Sequence, residues 1–187
     1  MLLAHIPAML FSPTLGWTAL KIARPSPQRL FGQVFVPFAL LPPVMLLLAA
    51  GGAGARLLPD AGPATWLLMA ALLFAAELAA LPVTSWLILA AARAHGGHPD
   101  AGRAFALAVL TPVPLWLASC VLPLDHPPLL LAAALLGTAA SAALLRQGAR
   151  ALLAIHDPDE AGYTAFTVLG TCALLWSPLL LAIAMLR

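Results

Sequence analysis

The sequence predicts an all-α polytopic membrane protein, a bundle of five transmembrane helices with a short N-terminal interfacial helix. Three observations predict it. Five apolar runs occupy most of the 187 positions, and each approaches the roughly 20 residues that a helix needs to cross hydrocarbon. The composition is 63% hydrophobic and 9% charged, with a mean hydropathy of +0.99, whereas a soluble domain carries about 45–50% apolar and 25% charged residues. The basic side chains lie mostly between the runs, at alternate connections.

The five spans are expected at Phe31–Ala50, Trp66–Ala92, Phe105–Leu122, Leu129–Leu145 and Tyr163–Leu186. Little is left for an aqueous module, so two regions suffice: residues 1–30 as a cytoplasmic or interfacial segment and residues 31–187 as the membrane domain. The second span is the longest and must tilt or project beyond the bilayer. Lys21, Arg24, Arg29, Arg93, Arg103, Arg146 and Arg150 fall on one side and only Arg56 and Arg187 on the other. Basic residues are retained in the cytosol, which puts the N-terminus inside and, with an odd number of spans, the C-terminus outside. The opening Met-Leu-Leu-Ala-His-Ile-Pro lacks the basic stretch of a cleavable leader.

Before the first span, Ser12 is placed to cap a helix with Pro13 at its first position, and Arg24-Pro25-Ser26-Pro27 ends it. Trp17 and Leu20 are expected to dip into the interface while Lys21 and Arg24 face anionic headgroups. An ordinary lead-in to the first span is the alternative. There are 18 prolines, about twice average usage. Pro37, Pro42, Pro43, Pro82, Pro112, Pro114 and Pro178 lie within spans, where each removes a backbone donor and kinks its helix.

In the fourth span Ala133, Gly137 and Ser141 recur every four residues. Small residues at that spacing let helix backbones approach closely, so this span is expected to be central, packing within the chain or against a second copy. Cys120 and Cys172 sit at different depths and read as buried, unlinked thiols.

Glu77 is the ionisable residue deep in a span. A lone carboxylate there is expensive, so it reads either as a neutral hydrogen-bonding group between helices, with Gln33, Thr111, Ser119, Thr138 or Thr171 as partner, or as the centre of a small transporter or channel. His95 and His98 in His-Gly-Gly-His-Pro-Asp fall short of the three or four convergent ligands of a metal site and read as a flexible turn. Asp157-Pro158-Asp159-Glu160 reads as a helix start, with Asp157 as cap and Glu160 closing a capping box. Upstream, Arg146 and Arg150 share one helical face, and with Tyr163 they form a candidate docking face for a partner or for headgroups. Composition and spacing offer no catalytic pair, metal set, cofactor loop or nucleic-acid-binding stripe. The expected partners are the lipid bilayer, a membrane or cytoplasmic protein, or a second copy.

Four stretches occur in an order that resembles bacterial members of the Yip family of five-span membrane proteins. Leu10–Trp17 is similar to its opening Leu-x-x-Pro-x-x-x-Trp and precedes a Pro-rich span. Ala94–Gly97 is similar to its Phe-Gly-Gly turn, with His95 in place of the aromatic residue. Thr111–Ala118 resembles its Ala-Tyr-Ser-x-Thr-Pro stretch, with Val109 and Leu110 replacing the tyrosine and serine. His156–Thr164 is similar to the Pro-Glu-Asp-Lys-Ala-x-Gly-Tyr-Thr before its final span. The resemblance implies a five-span bundle with a cytoplasmic N-terminus. In eukaryotic relatives it implies roles in vesicle traffic and membrane shaping, with Rab-type GTPases bound largely through an N-terminal cytosolic region that is short here. The reading is therefore a non-enzymatic inner-membrane scaffold or adaptor, in which Trp17 and Lys21 anchor the surface helix.

Overall fold

The computed structural model describes residues 13–185, and all the regular structure among them is helical. Six helical units follow one another: α1 Pro13–Ala23, α2 Pro27–Leu57, α3 Pro63–Ala94, α4 Ala101–Leu124, α5 Pro127–Leu152 and α6 Pro158–Met185. Helices α2 to α5 are each long and apolar enough to cross a membrane. Helix α6 is 28 residues long and covers the fifth predicted run as far as Met185; Leu186, the side chains of its terminal turns and the Ser12 cap expected for α1 lie outside the described set.

The first four predicted spans lie within α2 to α5, and these helices extend beyond them because polar caps lie outside the apolar runs. Asp100 caps α4 by accepting the Arg103 N–H at 2.8 Å, and Pro stands near the first position of α2, α3 and α5. Prolines shape the interiors. In α2 the turns at Phe31–Phe35 and Ala50–Gly54 widen to π geometry, the first just before Pro37, whose missing N–H breaks the regular ladder. Helix α4 bends at Thr111–Pro112 and finishes as a 3-10 helix over Ser119–Leu124.

The centre of the bundle is α4, whose apolar stretch is 50% buried, against 22% for that of α5. This corrects the expectation that the fourth span is central. Its small-residue face serves one neighbour: Gly137 lies against Leu115 and the Pro114 carbonyl of α4, where an added Cβ would stand 3.2 Å from each. Ser141 is buried and Ala133 half-buried, while Leu131, Leu135 and Leu136 face outward. The packing face is thus used within the chain. Helix α4 also meets α2 and α3, and α6 packs on α3 and α5.

Helix α1 corrects a second expectation. Trp17 and Leu20 are 2% and 5% exposed, turned onto the protein rather than outward into lipid. The reason is a notch in α5: Gly148 lacks a side chain where the Trp17 ring lies, and a Cβ there would approach the ring to 2.8 Å and collide with Leu107. Lys21 points the other way and is exposed. The thiols are free; Cys172 is half-buried, and Cys120, expected to be buried, is exposed.

Candidate functional site

The connections between helices gather at two ends. At one, Arg56 forms an ion pair with Asp125, joining the end of α2 to the turn between α4 and α5. The other end collects α1, the 95–100 connection and the 153–157 connection, together with most of the basic residues, and it is the more heavily tied.

Helix α3 stops because Gly96 adopts φ +72°, a left-handed conformation that favours glycine. The chain then folds under itself, with Gly97 N–H donating to the Ala92 carbonyl at 2.8 Å and His98 N–H donating to Leu153 at 3.1 Å. Arg103 reaches across to the Leu152 carbonyl at 3.2 Å while pairing with Asp100 at 2.9 Å. Two carbonyls at the end of α5, which its own helix leaves unpaired, are therefore satisfied, one by the turn between α3 and α4 and one by the first turn of α4. Gly97 is wedged there: a Cβ would lie 2.9 Å from both the Ala92 and Leu153 carbonyl oxygens.

The same turn grips α6. His95 Nδ1 stands 2.5 Å from Glu160 Oε2, and the His95 ring stacks on Tyr163 with centroids 6.2 Å apart and planes at 21°. This corrects two expectations. The His-Gly-Gly-His segment is a pinned junction rather than a flexible turn, and Glu160 is drawn away from a capping box to a histidine 65 positions earlier. Asp157 still serves the helix start, accepting the Asp159 N–H at 2.8 Å. The sequence signal that would have found the contact is the histidine standing where an aromatic residue was expected, within reach of an acidic helix start.

Beside this junction an open groove of about 480 Å³ runs between α5 and α6, lined by Arg146, Pro158, Asp159, Gly162, Tyr163 and Phe166. It brings together two residues of the expected docking face, Arg146 and Tyr163. Arg150, one turn further along α5, is exposed but does not line it. Trp17 and Lys21 lie apart from it on α1, and Ala133, Gly137 and Ser141 lie deeper along α5.

Glu77 occupies a separate place within the bundle. It is buried on α3, and its carboxyl lies beside the Trp116 indole of α4, a neighbour absent from the polar groups expected for it, while its Oε2 has no hydrogen-bond partner among the described residues. Trp116 in turn meets the edge of Phe35 of α2, ring centroids 5.4 Å apart and planes at 83°. The arrangement clamps three helices with one carboxyl and two aromatic rings. Among the described residues no group of three His, Cys, Asp or Glu side chains is placed to hold a metal ion.

The family model described as the Yip1 domain matches residues 8–185, nearly the whole chain. No curated protein matches the chain, and no solved structure does.

Proposed function

The chain belongs to the Yip1 domain family, a family of membrane-embedded helical bundles, and from that premise we propose that it is a non-enzymatic scaffold or adaptor of the bacterial inner membrane. It crosses the bilayer five times, with the N-terminus and the basic end in the cytoplasm and the C-terminus in the periplasm. Seven of the nine basic residues at the connections of one side support this orientation.

One observation carries the reading: the tied junction of His95, Gly97, Arg103, Leu152, Glu160 and Tyr163. It consumes its polar groups in joining connections to one another, and it leaves Arg146, Arg150 and Tyr163 displayed on a rigid base. Rigid presentation of exposed charged and aromatic side chains lowers the entropy lost when a partner docks. The Trp116 indole beside Glu77 supports a structural task for the intramembrane carboxyl. Lys21, exposed on the outer side of α1, contributes to attraction toward anionic headgroups.

A photoreactive phenylalanine analogue at position 163, irradiated in native membranes, tests the docking face. A discrete protein adduct that disappears in Arg146→Glu/Arg150→Glu is the expected result; adducts unaffected by charge reversal would contradict it. Tags on the two termini test the topology, and both becoming accessible from the same side would overturn the five-span arrangement.

A further inference from the structure

The groove between α5 and α6 joins three chemistries. Arg146 supplies a cation on one wall and Asp159 a carboxylate at the first turn of the other, while Tyr163 and Phe166 supply aromatic surface, 60% and 77% exposed. Among the described residues neither Arg146 nor Asp159 has an ion-pair partner. Opposite charges on one groove that do not neutralise each other leave separate points for an anion and a cation.

Position along the helix supplies the second constraint. Phe166 lies one turn inside the apolar run that begins at Tyr163, so the groove straddles the level where headgroups give way to acyl chains. An amphipathic lipid offers a headgroup and an acyl chain on the two sides of that level.

We propose that this groove binds a zwitterionic phospholipid with a primary-ammonium headgroup, its phosphate on Arg146, its ammonium on Asp159 and the start of an acyl chain along Phe166. Guanidinium matches a phosphate through paired N–H donors. A carboxylate accepts N–H bonds from a primary ammonium and receives none from a quaternary one, which has no donor to offer. Choline recognition instead uses aromatic cages, and the ring of Tyr163 is engaged on one side by His95. The inference rests on the membrane placement proposed above and not on any protein partner.

Native mass spectrometry of the purified full-length chain, incubated in detergent with palmitoyl-oleoyl phosphatidylethanolamine, phosphatidylcholine or phosphatidylglycerol, tests it. The expected result is about two- to fivefold greater retention of phosphatidylethanolamine than of phosphatidylcholine, the size of one exposed charged contact. Asp159→Asn is expected to erase that preference, and Arg146→Gln to lower retention of all three lipids. Both positions are exposed, so unchanged thermal midpoints will show that the variants fold. Equal retention of phosphatidylethanolamine and phosphatidylcholine, a preference that survives Asp159→Asn, or stronger retention of phosphatidylglycerol would overturn the assignment. Release of the chain from membranes by alkaline carbonate would instead overturn the membrane placement on which it depends.

Discussion

His95 Nδ1 and Glu160 Oε2, 65 positions apart in the chain, meet at 2.5 Å. The contact ties the turn after α3 to the first turn of α6, two connections that the sequence separates by two complete spans. Because both side chains are partly exposed, at 26% and 41%, its contribution belongs with partly solvated pairs, about 1 kcal/mol or less. Glu160→Gln is expected to lower the unfolding midpoint in detergent by at most about 2–4 °C. His95→Phe should keep the stacking on Tyr163 while losing the polar tie, and thermal melts of the two variants should shift to similar extents.

Gly97 and Gly162 provide opposed outcomes from the same substitution. At Gly97 a new Cβ meets two backbone carbonyl oxygens at 2.9 Å, neither on a flexible side chain, so Gly97→Ala is expected to destabilise by about 2–4 kcal/mol. At Gly162, near the start of α6, nothing lies within 4 Å, and alanine should stabilise by about 0.5–1 kcal/mol through helix propensity. Melting both variants in the same detergent checks the sign as well as the size.

Trp17 and Lys21 occupy opposite sides of α1. Trp17→Ala removes a buried ring and is expected to cost about 3–5 kcal/mol, whereas Lys21→Ala alters an exposed site and should stay within about 0.5 kcal/mol. Protease sensitivity of the first turns should rise in the former and stay constant in the latter.

Glu77→Leu takes the carboxyl away from the buried Trp116 N–H and is expected to destabilise by about 1–3 kcal/mol. Glu77→Gln keeps an acceptor in place and should be tolerated. If the carboxyl is structural, proteoliposomes carrying wild type or Glu77→Gln will show the same background proton flux; a flux present only in the wild type would place transport at this residue.

The helices were legible because hydrocarbon demands long apolar stretches, and Trp66–Ala92 and Phe105–Leu122 lie inside α3 and α4. Their faces were not. In water the buried side of a helix announces itself by periodic apolar residues, but a helix surrounded by lipid is apolar on every side, so neither the central place of α4 nor the inward turn of Trp17 showed as a pattern. Of the three residues grouped as a docking face, Arg146 and Tyr163 line one groove and Arg150 does not. Pairings across the fold were hidden, because His95 and Glu160, or Glu77 and Trp116, have local readings that suffice until the helices are assembled.

The notch at Gly148 has a consequence for how this chain can change over generations. The ring of residue 17 and the missing side chain of residue 148 share a single volume, bounded on the far side by Leu107. Enlarging position 148 needs room from both neighbours, so Trp17→Phe should rescue Gly148→Ala in part only where the Leu107 side chain also turns aside. Among descendants that retain this docking, substitutions at these two positions should arise as correlated pairs.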